Sequence, residues 1–201
     1  MKLQAAIDRI VPDRVWKLLD ELNGQADILE MGTSYTKEFG VAFLREMRAR
    51  CPQAVILADI KTMDEAKYEF DLYYETGADI LTVMGAAALD TIQIARQCAQ
   101  TWQRRYCIDL LGLDDADILR LRAFDDAIFC IHLPSDSHGD LEALLKRQIE
   151  LLPQGAVIAA AGGIHPDQLP LLKQVNIDIA VIGSAVTGSD DPRAALRAFR
   201  K

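Results

Sequence analysis

Eight short apolar runs punctuate the chain at nearly even intervals: KLQAAID (2–8), ADILEMG (26–32), AVILADI (54–60), ADILTVMG (78–85), YCIDLLGL (106–113), DAIFCIHL (126–133), AVIAAAGG (156–163) and IAVIGSAV (179–186). Runs this short and this continuously apolar fit strands buried on both faces of a parallel sheet. The segments between them have a different period. RVWKLLDELNG, GVAFLREMRARC and LDTIQIARQCAQTWQ place apolar residues at three- and four-residue steps, as a helix packed on a sheet requires. The pattern also echoes itself: QADILEM (25–31) returns as GADILTV (77–83) and, more faintly, as NIDIAVI (176–182), each with an acid near the strand entrance. Eight strand–helix units with no linker or low-complexity tract leave an open doubly wound sheet or a closed (β/α)8 TIM barrel. None of the runs has the polar character of an edge strand. The barrel is expected, as one compact domain over residues 1–201.

A 201-residue chain that is 50% hydrophobic can fill such a core. Its formal net charge of −8 and the lack of any basic block exclude non-specific nucleic-acid binding. A small anionic substrate is still allowed, because a local pocket can oppose the global sign. No apolar run approaches a membrane span, and MKLQAAIDRIVPDR meets charge and proline before any signal-like segment develops. Cys51, Cys98, Cys107 and Cys130 are widely spaced, with no CxxC pair, and read as free thiols of a cytoplasmic protein. Trp16 and Trp102 fall at helical packing positions, where burial is the default.

Barrel chemistry collects at the C-terminal ends of strands. In order, those ends carry Asp8, Glu30, Asp59 with Lys61, Gly85, Asp109, His132, Gly162–Gly163 and Gly183–Ser184. The first part is ionisable and the last is rich in glycine. Asp59 and Lys61 stand two apart, so on an extended chain both face the same way. A lysine among carboxylates keeps its proton, which suits it to stabilise or protonate a developing anion and not to form a Schiff base. Several acids around one lysine leave excess negative charge. Oxygen donors without cysteine favour a hard ion such as Mg2+, with Glu30 and Asp59 as its ligands and substrate oxygens and water completing the shell. The competing reading is a salt-bridge network closing the barrel mouth. Gly162, Gly163, Gly183 and Ser184 form turns after the last two strands, where backbone amides can approach a phosphate. His132 ends the sixth strand as either a proton shuttle or a satisfied structural histidine. His138 and His165 read as loop and helix-start residues.

With these residues assembled, the whole chain resembles the orotidine 5′-monophosphate decarboxylase superfamily, and within it the family of 3-hexulose-6-phosphate synthase and 3-keto-L-gulonate-6-phosphate decarboxylase. LQAAID resembles the family's first strand, which ends in a substrate-contacting Asp, here Asp8. EMGT is similar to its metal-binding E-V-G-T, which implies Glu30, and ADIKTMD to its A-D-x-K-x-x-D, which implies Asp59 for the metal, Lys61 as the lysine and Asp64 as a residue contributed across a dimer interface. AGGI and GSAVTGSDDP resemble its phosphate-binding ends. His132 and Asp136 keep the spacing of its H-x-G-x-D, but HLPSDSHGD is a shortened version of that loop. The metal-independent orotidine branch carries lysine where Glu30 stands. The gulonate decarboxylases often carry arginine after the glycine of strand eight, where this chain has Ser184.

The resemblance implies a Mg2+-dependent aldol condensation of formaldehyde with ribulose 5-phosphate through an enediolate, with Lys61, Asp64 and His132 expected as catalytic residues and Asp8, Asp109 and Asp136 as substrate-binding ones, in a homodimer with shared sites. Decarboxylation of 3-keto-L-gulonate 6-phosphate, which passes through the same kind of intermediate, is the alternative activity. A non-catalytic sugar-phosphate sensor is a third reading, but pure binding does not need Glu30, Asp59 and Lys61 together.

Overall fold

In a computed structural model, residues 1–134, 136 and 139–200 are described. All eight apolar runs are strands: β1 (Lys2–Ile7), β2 (Ile28–Met31), β3 (Ile56–Thr62), β4 (Ile80–Met84), β5 (Arg105–Asp109), β6 (Ile128–His132), β7 (Val157–Ala161) and β8 (Ile179–Ile182). They pair in parallel, each with its chain neighbour, and β8 closes onto β1 with Ala5 opposite Ile182. The helices run between them: α1 (Pro12–Leu22), α2 (Thr33–Glu38), α3 (Gly40–Arg50), α4 (Ala66–Thr76), α5 (Leu89–Thr101), α6 (Asp115–Arg120), α7 (Leu141–Ile149), α8 (Leu169–Gln174), α9 (Ser184–Thr187) and α10 (Pro192–Ala198). The closed TIM barrel expected from the repeat is the fold. Among the described residues no helix is long and apolar enough to cross a membrane.

Alternation along the strands sorts side chains into two apolar regions. Outward residues such as Leu3, Leu29, Leu81 and Phe129 pack under the helices. Inward residues fill the barrel: Ile28, Ile80, Ile128 and Ile179 come from the even-numbered strands, Leu57, Cys107 and Ala159 from the odd-numbered ones, as barrel layers require. The four cysteines are free and buried. Trp16 stacks on Phe43 with ring centroids 5.0 Å apart. Trp102 departs from expectation: it is 37% exposed, because its indole Nε1 donates to Asp71 at the surface, at 2.8 Å.

The repeated acid at strand entrances has a structural explanation. Asp27 accepts from the Leu3 amide at 2.8 Å, Asp79 from Ile56 at 2.9 Å, and Asp178 from Ile158 at 2.8 Å. In each case the acid's own amide donates back to the carbonyl of that same residue. Each therefore ties the start of one strand to the start of the strand before it. Asp79 is also paired with Arg48 and Arg104. This end of the barrel is fastened by acids that each hold a backbone amide, two of them, Asp27 and Asp79, also paired with arginine.

Candidate active site

The strands' C-terminal ends surround a cavity of about 740 Å³, within the usual range for a small-molecule site. Asp8, Glu30, Asp59, Lys61, Asp109, His132, Asp136, Gly162, Gly163, Gly183 and Ser184 all line it. Asp64 does not: it is exposed beyond β3, where its carboxylate accepts from the Glu65 amide at 2.8 Å. His165, expected only to start a helix, does cap one and also reaches the cavity wall. His138 lies outside the described residues.

Lys61 is the centre of the arrangement. Its Nζ lies 2.6 Å from Asp109 Oδ2 and 3.1 Å from Asp59 Oδ2. Burial works against the ammonium, but the two carboxylates outweigh it and hold its pKa well above the ordinary lysine value. Asp59 and Lys61 do come together, but not by the alternation of an extended chain. The register slips between Ala58 and Thr62, which face Leu81 and Val83 on β4, and Lys61 has φ +50°. It is a bulge, a device that re-aims side chains at barrel rims, and it turns Lys61 onto Asp59. Thr82 secures the strained turn: its Oγ1 accepts from the Lys61 amide at 2.9 Å and donates to Asp59 Oδ1 at 2.8 Å. Thr33 donates to Asp59 Oδ2 at 2.5 Å.

Asp109 is buried with both oxygens engaged. Oδ1 takes the Leu111 amide at 2.9 Å, and Oδ2 takes Lys61 and faces His132 Nδ1 at 3.1 Å. Burial would raise its carboxyl, but the His132 hydrogen bond and the Lys61 charge overcome it and bring the pKa down to about 2. The ionised carboxylate favours the His132 tautomer with its proton on Nδ1, leaving Nε2 a free lone pair.

Glu30 is placed differently. Gln4 donates to its Oε2 at 2.7 Å, and among the described residues Oε1 takes no hydrogen bond. Burial, and next the negative charge of Asp59, push its carboxyl up to about 8. Asp59 has Lys61 as its cation, whereas Glu30 has no ion-pair partner among the described residues and a free Oε1. Among the described residues no three Cys, His, Asp or Glu side chains form a cage for an ion. A cage is not what Mg2+ needs, since it keeps several waters and binds through one or two carboxylates plus substrate oxygens. The donor set of Glu30 and Asp59 fits such an ion.

The opposite wall is built from small residues. Gly162 has φ +106°, and a Cβ there would meet the Leu133 carbonyl oxygen at 2.3 Å, whereas Gly163, at φ +65°, has open space in front of it. Among the described residues the Gly163 and Ser184 amides make no hydrogen bond within the protein, so both are available to an anion. On the cavity floor, the neighbouring Cys107 and burial hold the Cys130 thiol well above its ordinary pKa, which removes it as a nucleophile.

Gln4, Thr33 and Thr82 were not singled out in the sequence. Gln4 and Thr82 are polar residues at inward positions of otherwise apolar runs, and that signal was available. Thr33 closes the EMGT motif, but its bond to Asp59 depends on how α2 sits over β3.

The family described as orotidine 5′-phosphate decarboxylase / HUMPS matches residues 1–199. The 3-hexulose-6-phosphate synthase of Methylomonas aminofaciens is 33% identical over 199 residues, covering 96% of this chain and 94% of that protein. A crystal structure of 3-hexulose-6-phosphate synthase superposes with a TM-score of 0.91 at 30% identity, over 100% of this chain and 98% of the other. The 3-keto-L-gulonate-6-phosphate decarboxylase of Vibrio cholerae superposes at 0.85 with 21% identity, over 99% and 95%, a likeness of fold alone.

Proposed function

The chain belongs to the orotidine 5′-phosphate decarboxylase / HUMPS family, and from that membership and the site's geometry we propose that it condenses formaldehyde with ribulose 5-phosphate, as a 3-hexulose-6-phosphate synthase. Its class is that of a carbon–carbon lyase, in keeping with relatives that bear that name at 30 to 33% identity. The observation that carries the reading is Lys61, a permanently charged ammonium held between Asp59 and Asp109 within the sugar-sized cavity. A positive charge fixed there stabilises negative charge that appears only during reaction, which is where binding energy accelerates chemistry.

His132 Nε2 takes the proton from the ketose carbon next to the carbonyl, and Asp109 stabilises the imidazolium that results. Lys61 holds the enediolate electrostatically. The enediolate carbon then forms the new bond to formaldehyde, whose oxygen receives a proton from the imidazolium. Asp8 and Asp136 face the sugar hydroxyls, and the Gly162–Gly163 and Gly183–Ser184 turns hold the phosphate. A divalent ion such as Mg2+ at Glu30 and Asp59 would supply Lewis-acid polarisation of the sugar oxygens. Asp64 reaches a neighbouring cavity in a homodimer, which accounts for a motif residue that stands clear of its own.

Purified protein with Mg2+ is expected to consume formaldehyde only when ribulose 5-phosphate is present. Carbon dioxide release from 3-keto-L-gulonate 6-phosphate, without formaldehyde consumption, would assign the decarboxylase activity instead.

A further inference from the structure

We propose that Arg9 is the side chain that pairs with the phosphate dianion of the substrate, a role that rests on the sugar-phosphate reading above. The described cavity wall carries the acidic side chains Asp8, Glu30, Asp59, Asp109 and Asp136 against two permanent cations, Lys61 and Arg9. Lys61 is committed to Asp59 and Asp109. Among the described residues Arg9 has no carboxylate partner. A phosphate monoester entering this cavity brings further negative charge into surroundings that are already acidic. The glycine-turn amides offer it only partial charges, so a full positive charge is needed to offset the repulsion.

Arg9 stands where that charge is useful. It follows β1, which is hydrogen-bonded to β8 with Ala5 opposite Ile182, and it is an exposed residue at the rim of the cavity that the Gly183–Ser184 turn also lines. Its backbone is held in an uncommon conformation, φ +52°, by a 2.9 Å hydrogen bond from its amide to Ser34 Oγ. The Ser34 amide in turn donates to Asp8 at 2.9 Å. Left-handed backbone at a non-glycine residue persists only where surrounding contacts hold it, and such residues cluster at ligand clamps. A guanidinium on this anchored turn has the planar donor fork that suits a phosphate.

Arg9→Asn removes the charge with a residue that tolerates positive φ, and Arg9→Lys keeps the charge without the fork. With ribulose 5-phosphate, Arg9→Asn is expected to raise KM about thirtyfold with kcat within about threefold, the loss of one charge-assisted contact. Inorganic phosphate, used as a competitor and in calorimetry, should bind the Asn variant about tenfold more weakly and recover part of its affinity with Lys. Phosphate affinity within twofold of the parent in Arg9→Asn overturns the assignment. If no ketose phosphate is turned over but phosphate affinity still falls in the Asn variant, the assignment of Arg9 stands and the proposed reaction does not.

Discussion

The barrel carries acids at both ends of its strands, and the two sets behave oppositely. At the entrance, Asp27, Asp79 and Asp178 each accept a backbone amide, and Asp79 adds two arginines. At the exit, burial and, after it, the nearby charge of Asp59 push the Glu30 carboxyl up to about 8. The entrance acids stabilise the fold because their charge is answered. Of the exit acids, Asp59 and Asp109 share the single ammonium of Lys61 and Glu30 has no ion-pair partner among the described residues, and that imbalance makes them a site. Barrels separate stability from chemistry in this way because one rim is free to vary its loops while the other holds the register.

The contrast can be broken most severely at Lys61. Lys61→Met should lower kcat about a thousandfold, and it should also lower Tm, since it leaves Asp59 and Asp109 as buried carboxylates without their cation. Steady-state kinetics and calorimetry on the same preparation check both effects. Across the cavity, Gly162→Ala is expected to destabilise by about 3 kcal/mol or more, because its Cβ would collide with a carbonyl and its φ is unfavourable. Gly163→Ala, with open space ahead of it, should lose only about 1 kcal/mol. Urea titration of the two variants separates collision from backbone preference.

Asp79→Ala should lower stability by about 2 kcal/mol while leaving KM and kcat near the parent values, since Asp79 is remote from the cavity. A comparable loss of activity would end the division between the two rims. Glu30→Gln should do the reverse, abolishing turnover while improving the metal-free fold at alkaline pH. The sign follows from linkage: a carboxyl whose folded pKa is raised contributes stability that is complete below about 4.5 and is lost as pH rises through about 8. In the presence of chelator the parent should therefore lose Tm between pH 5 and pH 8. Glu30→Gln should flatten that slope and raise Tm at pH 8 by roughly 5 °C. Mg2+ should stabilise the parent more at pH 8 than at pH 6, because it binds the ionised pair.

Composition and period alone determined a great deal here. Eight apolar runs with helical segments between them specify a parallel barrel, because no other arrangement buries so many strands on both faces without an edge. That closure sends the run-ending residues Glu30, Asp59, Asp109 and His132 to one rim, so their gathering could be read before any coordinate. The echoed acids were visible too, but their purpose was not. That Asp27, Asp79 and Asp178 tie neighbouring strands together depends on register, which local pattern does not encode.

Only the tertiary structure decided how the rim works. The bulge that turns Lys61 onto Asp59 arises from the pairing of β3 with β4, and not from the two-residue alternation of an extended strand. Asp109 holding both Lys61 and His132, and Thr82 bracing the bulge, are contacts between strands distant in sequence. Sequence names the groups that a closed barrel must gather. Their charge states come from burial and from distances of a few ångströms, and those exist only once the chain has closed on itself.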